Sequence, residues 1–246
     1  MARENDEMTQ TSPLVHARVA GVLYLVIIGF GLFGEVFVRS GLIVPQDAAA
    51  TARNIMASEG LFRVGFVADS IMVLSDVALA VLLYGLLKPV NRTLALVAMC
   101  FRLTQTAVLA LNLLNHYAAV LILNAGHAAA FTTGQLQSLS YLFLDLHAHG
   151  YDLGLLLFGV HCLLLGYLIV RSRYLPRALG VLMMAASAAY LIGSYTRFLF
   201  PEYVSLVAPI YGIALVSEVS LCFWLLVKGV DVRQWERVVG GAVATS

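Results

Sequence analysis

The stretch LDLHAHGYDLGLLLFGVH, residues 144–161, sets three histidines and two aspartates inside a run that otherwise reads as apolar helix. Apolar residues continue on both sides, so the segment 138–170 stays hydrophobic throughout. A hydrocarbon core of about 30 Å takes roughly 20 helical residues. This segment is too long for one crossing, so its first part is expected at the membrane interface, with Gly150 as a bend. Whether such a stretch is a membrane span or a soluble helix decides the fold.

Composition answers that question. Of 246 residues, 61% are hydrophobic and 12% charged, where an ordinary soluble domain carries about 25% charge. The mean hydropathy is +0.88. A soluble chain of this length could not hide so much apolar surface, so the solvent is lipid. A net charge of +1 leaves no broad electrostatic footprint for nucleic acid. Cys100, Cys162 and Cys222 are odd in number and lie in apolar runs, which reads as buried thiols rather than disulfides. The polar N-terminus MARENDEMTQTSP lacks the basic region of a secretory signal, so the apolar run behind it is read as a retained span.

Six apolar segments are long enough to cross, at about 17–38, 62–87, 93–123, 140–170, 178–199 and 204–227. The expected architecture is an all-α, six-helix transmembrane bundle over 16–228. A disordered cytoplasmic N-terminus (1–15) precedes it and a cytoplasmic interfacial tail (229–246), anchored by Trp235, follows it. With six crossings, Arg3, Arg18, Lys88, Arg92, Arg171, Arg173, Arg177, Lys228, Arg233 and Arg237 fall on one side. The other side keeps Arg39 and Arg53, with Arg63 and Arg197 at its boundary. The positive-inside rule therefore places both termini in the cytoplasm. Outside, Val44–Gly60 predicts a short surface helix capped by Asp47 and stopped at Gly60. Thr132 and Gln135 have capping-box spacing, and Gly150 with Gly154 forms a GxxxG, a close-packing pattern.

The polar residues sort by depth. Arg102 lies ten residues after Arg92, His161 ten before Arg171, Glu218 ten before Lys228 and Asp76 twelve before Lys88. At about 1.5 Å per residue, all four lie roughly 15–18 Å from the basic belt, near mid-membrane. Each ion left unpaired there costs roughly 2.5–3.5 kcal/mol, so the four together would cost on the order of 10 kcal/mol. They should face inward and compensate one another, with Asp76 pairing Arg102 and His161 sharing a proton or hydrogen bond with Glu218. A second tier of Glu35, Asp69, Asn112, Asp152 and Arg197 lies nearer the outer boundary, with His116 and His149 slightly further out.

Helical angles at 100° per residue give these residues common faces: Asp69 with Asp76; Arg102 with Gln105, Asn112 and His116; Tyr190 with Ser194 and Arg197; Tyr24 with Gly31 and Glu35; Tyr211 with Glu218. The fourth span divides. Asp145, His149 and Asp152 face one way and His147 and His161 nearly the opposite way, which a break near Gly150 would reconcile.

Several strings resemble a bacterial membrane family known as domain of unknown function 4386. They are ARVAGVLY (17–24), LIVPQDAAATA (42–52), KPVNRTLAL (88–96), FRLTQ (101–105), FGVHCLLLGYLI (158–169) and YLPRALGVL (174–182). The resemblance implies a six-span protein of a bacterial plasma membrane and carries no catalytic residues with it.

From the residues, the leading expectation is an intramembrane pocket that binds, senses or transports a small polar molecule or ion. Its lining would be Asp69, Asp76, Arg102, Gln105, Asn112, His116, His149, Asp152, His161, Arg197 and Glu218. A second reading is a metal- or haem-dependent membrane enzyme, with His116, His149 and Asp152 as a metal set and His161 alongside; an internal haem would need a second histidine at the depth of His161. A third is a buried polar network that only holds helices together. Ser187, Ser194 and Ser217 have no nucleophile motif around them, and the sequence shows no P-loop, dinucleotide fingerprint, HExxH or internal repeat.

Overall fold

A computed structural model describes residues 12–124 and 130–243. Among these the chain is all-α, and six helices are long and apolar enough to cross a membrane. They are α1 (Pro13–Leu42), α3 (Glu59–Leu87), α4 (Arg92–Leu123), α5 (Thr133–Ser172), α6 (Arg177–Leu199) and α7 (Pro201–Val227). A short helix, α2 (Ala48–Ala57), joins α1 to α3, and α8 (Val232–Val243) follows the last span. Residues 1–11 of the expected N-terminal tail, including Arg3, lie outside the described residues, as do 244–246; α1 begins at Pro13.

Each span packs on the next, and α7 returns to α1, so the six helices close a ring. Large apolar side chains point away from it: Leu74 is 71% exposed and Leu111 70%. A surface of that kind is stable only in lipid. Glycines set the closest approaches. A Cβ on Gly166 would stand 2.5 Å from the carbonyl oxygen of Gly180, and one on Gly21 would stand 2.7 Å from the Leu226 backbone nitrogen. These are the α5–α6 crossing and the α1–α7 seam.

The expected break in the fourth span is absent: α5 runs unbroken for 40 residues. Gly150 is there for clearance, because a Cβ would strike the Asn112 side chain on α4. Asn112 uses that space to donate from Nδ2 to the His147 carbonyl at 2.8 Å. Gly154, the other half of the GxxxG, makes the same room for Leu109. The divided polarity of α5 has a different explanation from a bend. The helix lies between α4 and α6 and buries a face against each. His147 and His161 bond α4 backbone carbonyls, Asp152 turns to α6 and α7, and Asp145 stays exposed.

Local signals decide the ends. Asp47 Oδ1 accepts from the Ala50 amide at 2.7 Å and starts α2, and the Thr132–Gln135 capping box starts α5. Gly60 does not stop α2. The helix ends at Ala57, Ser58 takes φ −130, and Gly60 already lies in the first turn of α3. Near its C-terminal end α1 widens into a π-helical stretch, Phe33–Arg39, and α7 begins with 3-10 turns around Pro201 and Pro209 before regular helix sets in at Tyr211. Proline has no amide proton to give the ladder, which accounts for that irregular start.

At the end of the ring that carries the chain termini the interior is apolar, with Leu83, Leu86, Leu165, Leu168, Leu221 and Leu225 all buried. Tyr174 in the α5–α6 turn and Trp235 on α8 both donate to the Leu86 carbonyl, at 2.7 and 3.3 Å. Burial pushes the Tyr174 phenol well above its ordinary range, so it remains a donor. Gly166→Val is expected to destabilise the protein by about 1–3 kcal/mol, because its neighbour is backbone and cannot yield. Gly29, with nothing within 4 Å of a built Cβ, should accept alanine without loss. Thermal unfolding in detergent measures both, and equal losses would show that the α5–α6 crossing is not set by backbone contact.

Candidate functional site

The interior is built around Arg102, fully buried on α4. Its Nε donates to Asp76 Oδ1 at 2.9 Å and its Nη2 to the same oxygen. Its Nη1 reaches the Tyr24 hydroxyl at 3.3 Å and His161 Nε2 at 3.1 Å. The guanidinium carbon stands 5.2 Å from the ring centres of both Tyr24 and Phe158. Asp76 also accepts from Thr106 at 2.7 Å. The Gln105 amide, turned nitrogen-inward, donates to Asp76 Oδ2 at 3.0 Å and to the Arg102 carbonyl at 3.2 Å. A buried ion pair offsets its desolvation only when its remaining donors and acceptors are satisfied, and this one meets that condition.

This geometry assigns His161. A guanidinium has no acceptor, so Nε2 must accept from it, and Nδ1, 2.8 Å from the Ala98 carbonyl, must carry the proton. Both ring nitrogens are occupied, and His161 is neutral. It does not bond Glu218, as the depths had suggested. Glu218 accepts instead from the Tyr190 hydroxyl.

Asp76, Arg102, Gln105 and Glu218 line an inner chamber of about 80 Å³ together with Phe158, Leu109, Met72 and Val73. Tyr151, Leu155 and Tyr190 belong both to this chamber and to a vestibule of about 680 Å³. The vestibule lies toward the end of the ring opposite the termini. Glu35, Arg39, His147, Asp152, Arg197 and Tyr211 are among its walls. Asp152 is ion-paired to Arg197 and accepts from Tyr211 at 3.1 Å. Arg39 donates to Glu35 at 2.8 Å and to Asp69 at 2.6 Å.

Six of the expected residues therefore line the two neighbouring spaces: Asp76, Arg102, Gln105, Asp152, Arg197 and Glu218. Five stand behind or beside them. Asp69 holds Arg39, Asn112 bridges α4 to α5, and His161 holds Arg102. His116 is stacked on Phe62 with ring centres 4.0 Å apart. His149 is half-exposed near Asp145 and Phe198. The proposed metal set is not assembled: His116, His149 and Asp152 face different neighbours, and among the described residues no three ligating side chains converge. His116 and His147 each reach a backbone carbonyl with one ring nitrogen and leave the other without a partner among the described residues.

Arg39, Tyr151 and His147 also line these spaces and are absent from the expected lining. Arg39 was assigned to the outer loop, but α1 continues to Leu42 and its π-helical stretch turns Arg39 inward. The spacing from Glu35 to Arg39, four residues, was the available signal.

Six lipid-facing helices closed into a ring define a multi-pass membrane protein. The chain belongs to the family described as domain of unknown function (DUF4386), which matches over residues 19–229. It is 30% identical over 161 residues to an uncharacterized protein of Archaeoglobus fulgidus, covering 65% of this chain and 80% of that one. No solved structure matches it.

Arg102→Leu and Asp76→Leu are each expected to destabilise the protein by about 3–5 kcal/mol, since each strands the partner charge. The double substitution should recover much of that loss. Unfolding of all three in detergent tests the coupling, and two singles that melt like the parent chain would remove the pair from its structural role.

Proposed function

We propose that this protein binds a small polar molecule or ion inside the membrane, to sense it or to carry it. The solute enters through the vestibule and reaches the chamber at Glu218. The single observation behind this reading is that a polar vestibule and a charged inner chamber lie back to back, with Tyr151, Leu155 and Tyr190 in the wall of both, and we take these three side chains as the gate between them. A polar network used only as glue would be packed shut, because interhelical contacts are worth little, about 0.6 kcal/mol on average, and empty space forfeits dispersion.

The expected residues divide in function. Asp76 and Arg102 spend their hydrogen bonds on each other and on framework groups, so they shape the chamber floor. Glu218, Asp152 and Arg197 are the contacts for a solute. Asp69, Asn112, His116, His149 and His161 act through what they hold in place.

The vestibule opens to the outside of a bacterial plasma membrane, and both termini lie in the cytoplasm. Charge supports this orientation. Arg18, Lys88, Arg92, Arg171, Arg173, Arg177 and Lys228 lie at the terminal end. The other end has four, Arg39, Arg53, Arg63 and Arg197, and the side richer in Lys and Arg is the cytoplasmic one.

In a chain with its three cysteines replaced, Ala148→Cys, on the vestibule wall, should react with a membrane-impermeant maleimide added outside intact cells. Leu168→Cys, in the sealed terminal end, should not. No labelling at 148, or equal labelling at both, would overturn the reading.

A further inference from the structure

The charges around the two cavities do not balance. Arg39, Arg102 and Arg197 face five carboxylates: Glu35, Asp69, Asp76, Asp152 and Glu218. Each arginine is committed to an aspartate, and Glu35 shares Arg39. Glu218 is left over. It is 92% buried, with 8% of its surface exposed, and among the described residues its hydrogen-bond partner is a neutral phenol, Tyr190. A carboxyl group buried to that extent stays ionised only with a cation or several donors beside it, and takes up a proton otherwise. The place beside Glu218 is the chamber itself.

We infer that the chamber takes the ammonium group of a small organic amine, with Glu218 as its counter-ion and the rest of the molecule lying in the vestibule. This rests on the proposed pocket and names what the pocket selects. Aromatic faces complete the cradle. Tyr151, Phe158 and Tyr190 line the chamber, with the Phe158 and Tyr190 rings 5.2 Å apart, and ring faces attract cations held away from water. Size agrees as well. The chamber, at about 80 Å³, is small beside the vestibule of about 680 Å³, so it takes the ammonium end and leaves the rest of the molecule in the vestibule. An anion finds no free partner, because the guanidinium of Arg102 is already used on Asp76, Tyr24 and His161.

The test uses three probes of one shape, n-butylammonium, n-butyrate and 1-butanol, on the purified full chain in detergent, read as shifts in thermal midpoint and as apparent affinity. n-Butylammonium should raise the midpoint, and the other two should not. Glu218→Gln should weaken the amine response by at least about tenfold, the loss of one charge-assisted contact, while Glu59→Gln, at the start of α3 and paired to Arg63 away from both cavities, should keep it. The inference is overturned if butyrate or butanol stabilises as well as the amine, if no probe stabilises, or if Glu218→Gln responds like the parent. Should Glu218→Gln fail to fold, the ranking of probes on the parent chain and on Glu59→Gln decides alone. Labelling at position 148 separates the two ideas: a reactive vestibule without amine selectivity sinks this inference and leaves the pocket standing.

Discussion

The fold depends on what a guanidinium needs when no water can reach it. Arg102 carries a permanent charge at mid-depth, and hydrocarbon supplies neither counter-ion nor acceptor. From its own α4 it reaches partners on three other spans: Tyr24 on α1, Asp76 on α3 and His161 on α5. The contact between Tyr190 and Glu218 joins the remaining two, α6 and α7. Two hydrogen-bonded units therefore touch every helix of the ring. Apolar packing between membrane helices has little preference for one partner over another, since lipid packs equally well. Polar matching supplies the preference, and the glycines at Gly21, Gly150 and Gly166 let the backbones come close enough for it.

Depth was legible in the sequence because helical rise is constant and lipid removes alternatives. Counting residues from the basic belt put Asp76 and Arg102 at one level, and at one level they had little choice but to pair. The six spans, the Asp47 cap and the Thr132 capping box were equally plain. Direction around the axis was harder. Assuming one buried face per helix fails for α5, which has a neighbour on each side and buries residues on both. The same assumption suggested a bend at Gly150 and kept His147 from the list of candidates. Shared depth also misled for His116, His149 and Asp152, which stand at similar levels yet point toward Phe62, Phe198 and Arg197. Arg39 was lost to a boundary error of one turn, since π-helical widening extends a helix without leaving a hydrophobic signature.

The two ends of the ring differ, and the difference bears on mechanism. The end opposite the termini is wide, polar and walled by paired charges. The terminal end is closed by layers of leucine, by Tyr174 and Trp235 on the Leu86 carbonyl, and by the turn at Gly229, whose φ of +68 brings it against Leu14. A binding or sensing protein needs only the first end and a way to report occupancy. A carrier must also open the second, which here means parting buried leucines that offer water no hydrogen bonds and releasing two donors from one carbonyl. Alternating access in such a ring would run through α8 and the α5–α6 turn, the elements that hold the seal, rather than through the charged residues. The Arg102–Asp76 pair would stay intact in both states, because separating it in lipid costs more than parting the apolar layers beneath it. In a carrier of this build the moving part would thus be the apolar end, with the polar network as the fixed hinge on which it turns.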